Sequence, residues 1–286
     1  MALSRRFGSV EITALEDATG VFFQPREKVF PDATTADWRR ADQLDPGAVT
    51  AERSWLLRFR CFAVRLDDGR IVLVDTGIGP ADAPAANWAP VPGRLPEELA
   101  AAGIEPTDVD TVVLTHLHTD HVGWAVTGAA HAPYFPNANY LLQRAEVAAV
   151  HTVNPSLRER LIEPLRGTDQ LRVIDGDVRL APVLRVLATP GHTPGHQSVL
   201  LETGEESVLI TGDLLVHAVQ LIAPEMSYAH EVDPSTARES RVRLLRELAG
   251  RPSALLATPH LSRPFVELSP SPSRYIPPDR SRANPR

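Results

Sequence analysis

The chain is nearly without sulfur, with one cysteine and two methionines in 286 residues. A single cysteine excludes an internal disulfide and makes a reducing, intracellular setting the natural expectation. Cys61 lies inside WLLRFRCFAVRL, where it reads as a small buried hydrophobe and not as a reactive thiol. Basic residues never run longer than a pair in the body of the chain, and the net charge is −7. The clustered Lys and Arg that a nucleic-acid groove requires are therefore missing. No 18-residue apolar run occurs, and the N-terminal MALSRRFGSVEITAL has no apolar core long enough for a signal peptide. The expectation is a cytoplasmic protein that does not cross a membrane. No period of 20–50 residues is apparent, and no serine or cysteine nucleophile motif stands out.

What the chain does have is concentrated at residues 111–124, TVVLTHLHTDHVGW. His116, His118, Asp120 and His121 fall there within six positions. Residues 111–115 are uncharged and mostly β-branched, which predicts a short buried strand. In extended backbone His116 and His118 point to one side and can share one metal; on a helix their spacing would separate them by roughly 200°. Asp120 and His121 come where the chain must turn, with Gly123 giving freedom for a sharp bend, so their side chains aim at a different point. Four ligands from six consecutive residues close poorly around one tetrahedral ion. Two adjacent metals, about 3.5–4 Å apart, fit better. The plainer alternative, a polar turn with histidines at the surface, does not account for this density.

Elsewhere the chain alternates strand and helix signals. Residues 8–15 predict a first strand, and 18–53 an irregular segment whose Phe22, Phe23, Phe30 and Trp38 suggest a lid or pocket wall, with core packing as the alternative. Strands at 55–66 and 70–75 are joined by Asp67-Asp68-Gly69, a strong hairpin signal. A Pro/Ala-rich loop to about residue 94 precedes a helix at 96–102, started by Pro96, Glu97 and Glu98 and ended by Gly103. Further strands are expected at 139–143, 171–174, 183–188, 198–202, 207–211 and 254–258, and helices at 144–151, 158–165 and 234–249. The last helix has Asp233 as its cap, and Ala237, Arg241, Leu244, Leu245 and Leu248 form one face. Residues 1–267 read as one domain of mixed α/β layers, and 268–286 as a Pro/Ser/Arg-rich C-terminal tail.

Three later runs share one form, an apolar strand that stops at a candidate ligand. Residues 183–188 lead into TPGHTPGH, with His192 and His196; 207–210 lead into Thr211-Gly212-Asp213; 254–257 lead into Thr258-Pro259-His260. Through His116-Leu117-His118-Thr119-Asp120-His121, His192, Asp213 and His260, in that order, the chain resembles the metallo-β-lactamase superfamily over most of residues 55–260. The resemblance implies an αββα sandwich of two mixed β-sheets flanked by helices. It also implies that His116, His118 and His192 hold one metal, that Asp120, His121 and His260 hold a second, and that Asp213 bridges both. Seven N/O ligands without sulfur suit two divalent ions, zinc first, with iron or manganese also compatible. By the same resemblance His196 is a packing or supporting residue, and Asp75 orients the 116–121 loop. His131 and His151 read as ordinary polar residues, whereas His217, four residues after Asp213, is near enough to face the site.

The function implied is dinuclear metal-dependent hydrolysis, in which hydroxide held between two metals attacks a lactone or ester, with Asp120 and Asp213 as the catalytic carboxylates. The bridging position is typically Cys or Ser in true zinc β-lactamases of the superfamily, so Asp213 argues against that activity. The segment 212–220 and the run Asp120-His121-Val122-Gly123-Trp124 are more like the acyl-homoserine lactonase and methyl parathion hydrolase branch. Several lactonases place a tyrosine three residues after the bridging Asp; here Val216 stands there, with Tyr228 or His217 as candidate substitutes. Trp124 and the aromatics at 22, 23 and 38 would favour an apolar small-molecule substrate, with core packing or a homodimer contact as a reading of at least equal weight. Phosphotriester hydrolysis, thioester hydrolysis and a mononuclear iron dioxygenase are the competing readings.

Overall fold

The computed structural model describes residues 3–204 and 206–268, so the expected tail from 269 onward lies outside the described residues. The strands are β1 (Leu3–Phe7), β2 (Val10–Val21), β3 (Leu56–Arg65), β4 (Ile71–Val74), β5 (Val109–Val113), β6 (Val126–Thr127), β7 (Ala132–Pro133), β8 (Asn139–Gln143) and β9 (Leu171–Ile174), then β10 (Val178–Ala181), β11 (Leu184–Ala188), β12 (Gln197–Thr203), β13 (Glu206–Ile210), β14 (Ser253–Ala257) and β15 (Phe265–Leu268). The helices are α1 (Arg26–Val29), α2 (Thr35–Leu44), α3 (Leu95–Ala101), α4 (Arg144–Val153), α5 (Glu163–Gly167), α6 (Val219–Ile222) and α7 (Pro234–Ala249). Among the described residues one sheet has the order β1-β2-β3-β4-β5-β8-β9 and a second runs β10 to β15 in sequence, with β6 and β7 forming a separate small hairpin.

Both sheets are mixed: β4, β5, β8 and β9 run parallel in the first, and β13 and β14 in the second. Because successive side chains in a strand face opposite ways, apolar residues of both parities give each sheet two buried faces. Val72, Val74 and Val113 of the first sheet meet Val199, Leu201, Val208, Ile210, Leu255 and Ala257 of the second in one core. The opposite parity, Ile71, Leu73 and Val112, packs with Leu95 and Leu99 of α3 and Val150 of α4. Leu200, Leu209 and Leu256 pack in turn with Leu244, Leu245 and Leu248 of α7. The result is helix, sheet, sheet, helix, the αββα sandwich expected. Asp233 caps α7 by accepting from the backbone N–H groups of Ser235 and Thr236. Cys61 is fully buried on β3, and burial pushes its thiol well above the usual range. No helix among the described residues is long and apolar enough to cross a membrane.

Several expectations need correction. Residues 18–21 continue β2, which absorbs a bulge between Glu16 and Ala18. The rest of the supposedly irregular segment contains α2, started by a capping box in which Thr34 and Asp37 exchange hydrogen bonds. The strand expected at 111–115 is Val109–Val113, because the Thr115 N–H leaves the ladder for the side chain of Asp75. The helix expected at 158–165 is a wide turn of i→i+5 type over Arg158–Ile162, followed by α5. Leu268 closes β15 and does not begin the tail.

Candidate metal centre

The parallel strands β4 and β5, and likewise β13 and β14, bring their carboxyl ends to the same edge, where open α/β sheets place their ligand crevices. Asp75 follows β4 with a positive φ of 62°. Its Oδ1 accepts from the Thr115 N–H at 2.7 Å, and its Oδ2 accepts from the Thr115 hydroxyl and from His121 Nδ1, both at 2.8 Å. One buried carboxylate thereby fixes both ends of the histidine loop. Gly123 serves here through close approach: a Cβ there would stand 2.1 Å from the carbonyl carbon of Ile78.

The seven candidate ligands fall into two clusters, His116, His118, His192 and Asp213 in one and Asp120, His121 and His260 in the other, with the ligand atoms of each cluster within 4.8 Å of one another. In the first, His118 Nδ1 lies 2.9 Å from His116 Nε2 and 3.0 Å from His192 Nε2. In the second, His260 Nε2 lies 3.3 Å from His121 Nε2, and Asp120 Oδ2 lies 3.5 Å from His121 Nε2. Asp213 stands between them. Its Oδ2 is 3.2 Å from His192 Nε2, and its Oδ1 is 3.0 Å from His260 Nε2 and 3.2 Å from His121 Nε2.

Whether these residues suit a cation is decided by their outward hydrogen bonds. The Thr115 hydroxyl donates to Asp75, so it accepts from His116 Nδ1–H. His121 Nδ1–H donates to Asp75, and His260 Nδ1–H to the Arg58 carbonyl at 2.8 Å. Each ring thereby turns an Nε2 lone pair inward. The Nε2 atoms of His121 and His260 face Asp213 Oδ1, which is buried without a hydrogen-bond partner among the described residues, and that of His116 faces Asp213 Oδ2. Burial pushes His116 and His118 well below the usual histidine range, while burial lifts the carboxyl of Asp120. Burial also pulls His121 and His260 down, but the carboxylates of Asp213 and Asp120 outweigh it and hold both rings up. Converging lone pairs and carboxylates repel unless positive charge sits among them. N–N separations of about 3 Å are close to the edge of a tetrahedron with Zn–N of about 2.0–2.1 Å. The donor set fits two divalent ions.

His196 belongs to the support. Its Nε2 accepts from the Asp213 N–H at 2.9 Å and its Nδ1–H donates to the Thr189 carbonyl at 3.0 Å. Both bonds need a neutral ring, which burial secures by pushing its pKa down to about 3. Gly212, at φ 51°, is required beside it, since a Cβ there would meet His196 Nε2 at 2.7 Å.

A cavity of about 180 Å³ opens onto both clusters through His118, Asp120, His192, Asp213 and His260. Phe22, Phe23, Trp55, Leu57 and Trp88 form much of its wall, with Val216, Tyr228, His230, Thr119 and Asn154 completing it. Among the described residues no Lys or Arg lines it. Phe22 and Phe23 are thus wall residues, whereas Trp38 packs against Phe30 and the Arg26 guanidinium. Tyr228 stacks parallel to His192 with ring centres 6.2 Å apart. Burial first, then the charges of Asp213 and Asp120, push its pKa well up, so the phenol keeps its proton.

Two expected contacts are absent from the wall. Trp124 is drawn away because its indole N–H donates to the buried carboxylate of Asp17 at 3.1 Å. His217 turns back because its Nδ1 accepts from the Val219 N–H at the start of α6. That places its ring among Phe30, Trp38 and Trp55, with centres 5.3–5.5 Å away. Nothing in the local sequence marks Trp88, Thr119, Asn154 or His230 as wall residues. Trp88 sits in a Pro/Ala loop without periodicity, and its indole N–H donates to Thr119 Oγ1 at 3.0 Å.

The sequence profile of the metallo-beta-lactamase superfamily matches residues 58–260. An N-acyl homoserine lactonase of Bacillus sp. is 30% identical over 207 residues, 68% of this chain and 74% of the relative. That of Bacillus thuringiensis is 29% identical over 231 residues, 76% and 84% of the two chains. Among solved structures, hydrolase AbOPH of the beta lactamase superfamily superposes with a TM-score of 0.76 at 25% identity, over 94% of this chain and 97% of the other. The dizinc quorum-quenching lactonase AidC superposes at 0.78 and 21% identity, over 97% of each chain, and shares the fold.

Proposed function

The chain belongs to the metallo-beta-lactamase superfamily as a metal-dependent hydrolase, and from that premise we propose that it opens uncharged, apolar lactones or related esters at a dizinc centre. His116, His118 and His192 would hold one ion and Asp120, His121 and His260 the other, with Asp213 serving both. Two divalent ions held there would supply a water of lowered pKa and a Lewis acid for the substrate oxygen. Asp213 directs one carboxylate oxygen to each cluster, which fixes how far apart the two positions sit. Asp120 lines the cavity as the carboxylate able to hold a proton during turnover. Tyr228, protonated and on the wall beside His192, can donate its O–H to the substrate carbonyl or the departing oxygen. It takes this part from a different stretch of chain than position 216, where buried Val216 has no proton to give.

The observation that carries the choice of substrate is an aromatic cavity that no Lys or Arg lines among the described residues. Glutathione thioesters, β-lactam carboxylates and nucleic-acid phosphodiesters carry negative charge that such a wall leaves unpaired. Neutral lactones, aryl esters and phosphotriesters do not. That relatives of this chain are named N-acyl homoserine lactonases supports lactones as the first of these to test. The single buried cysteine suits a cytoplasmic setting.

Profiling the zinc-loaded protein against lactones, aryl esters, thioesters and phosphotriesters tests the proposal. The expected result is a kcat/KM for neutral lactones or esters roughly 10²-fold above that for anionic thioesters or β-lactams, equivalent to about 2.7 kcal/mol. A preference for the charged substrates would refute it. Metal analysis giving one iron per chain, with oxygen uptake, would favour the dioxygenase instead.

A further inference from the structure

Behind the first cluster lies a buried acid that touches no candidate ligand atom. Glu146, in the first turn of α4, has no exposed surface. Its Oε1 accepts from the Leu117 N–H and its Oε2 from the Gly195 N–H, each at 2.8 Å. Leu117 stands between His116 and His118, and Gly195 between His192 and His196. The two oxygens of one side chain therefore each hold one of the two loops that supply the first cluster. Gly195 is what permits this approach, since a Cβ there would stand 2.2 Å from the Glu146 nitrogen. A carboxylate suits the task because it accepts at both oxygens and donates at neither.

We infer that Glu146 is a positioning residue that clasps the two loops of the His116/His118/His192 position and so sets how tightly that position binds its metal. The inference rests on the ligand assignment proposed above. Neither bond of the clasp includes a ligand atom, so the loops are held together before any ion arrives. The surrounding fold has its own link one step away, where the Gln197 N–H donates to the Thr115 carbonyl at 2.9 Å. Loss of Glu146 therefore loosens the loops without separating the sheets.

Glu146→Gln keeps the length of the side chain but turns an NH₂ toward one of the two backbone N–H groups. Zinc titration against a competing chromophoric chelator should show one of the two equivalents weakened by roughly 10–100-fold, the usual cost of losing a ligand's supporting partner. The other equivalent should be unchanged. Both equivalents at wild-type affinity in the folded variant would overturn the inference and leave the ligand assignment standing. A wild-type chain that binds no zinc would sink the assignment, and the inference with it. Should the variant not fold, hydrogen exchange on the zinc-stripped wild type decides. The Leu117 and Gly195 amides should stay protected, and exchange as fast as that of exposed loops would refute the clasp.

Discussion

Asp213 is the side chain on which both clusters depend, and Asp213→Asn removes its charge while keeping its shape. The carboxylate faces nitrogens on both sides, with His192 at 3.2 Å from Oδ2 and His260 and His121 at 3.0 and 3.2 Å from Oδ1. Those histidines hold its pKa well below the usual carboxylate range despite burial, so it is ionised throughout the working pH range. An amide places a donor against one of the two clusters and takes away the anion that the proposed pair of cations would share. Removing one partner of a buried charge pair costs about 3–5 kcal/mol. At about 1.36 kcal/mol per decade this is a loss of roughly 10²–10⁴-fold in kcat/KM. The assay is zinc per chain and turnover on the same preparation, with circular dichroism to establish folding. A folded Asn variant that retains two zinc ions and full turnover would refute the bridging assignment.

Tyr228→Phe should lower kcat roughly 10²-fold with zinc content unchanged; unaltered kcat would remove the phenol from the mechanism. Phe23, 57% exposed at the cavity mouth, should contribute about 1.5 kcal/mol to apolar substrates, so Phe23→Ala should raise KM roughly tenfold with little change in kcat. An unchanged KM for the longest apolar substrate tested would place that contact elsewhere. His217 is pushed down to about 3 by burial and the Arg26 charge, so the folded chain keeps it neutral while the unfolded chain protonates it below about 6.5. Unfolded chains then bind more protons, and stability falls with falling pH across the window between those values. The slope is up to about 1.36 kcal/mol per pH unit. From pH 6.5 to 5 wild type should lose roughly 1.5 kcal/mol more than His217→Gln in denaturant titrations; equal losses would show that the ring titrates when folded.

The ligand clusters were legible because each proposed ligand lies at a strand end or in the loop that follows it. An apolar run stopping at His, Gly-Asp or Pro-His is visible without knowing how the strands pair. Of the supporting acids, Asp75 was reached only through the family resemblance, and Asp17 and Glu146 not at all. They work by accepting backbone N–H groups from residues distant in sequence, such as Ile78 and Leu95 for Asp17, and nothing local announces such a bond. Trp124 and His217 were near the right residues in sequence yet face away, because one polar partner each, Asp17 and the Val219 N–H, rotates the ring. Helix α2 was missed although Thr34 and Asp37 stand at capping-box spacing, since the aromatics around it masked a weak 3.6-residue period. The aromatic wall could only be half seen: Phe22 and Phe23 drew attention by density, whereas Trp88 is isolated in its loop.

The aromatic wall also has an address along the chain. The proposed ligands all fall within residues 58–260, the stretch shared with the superfamily, but Phe22, Phe23, Trp55 and Leu57 come before it. The leading passage thus supplies four wall residues, while Trp88, Val216, Tyr228 and His230 come from the same stretch as the proposed ligands. Grafting residues 18–57 between relatives should shift the preference among apolar substrates through those four side chains while leaving the proposed ligands in place.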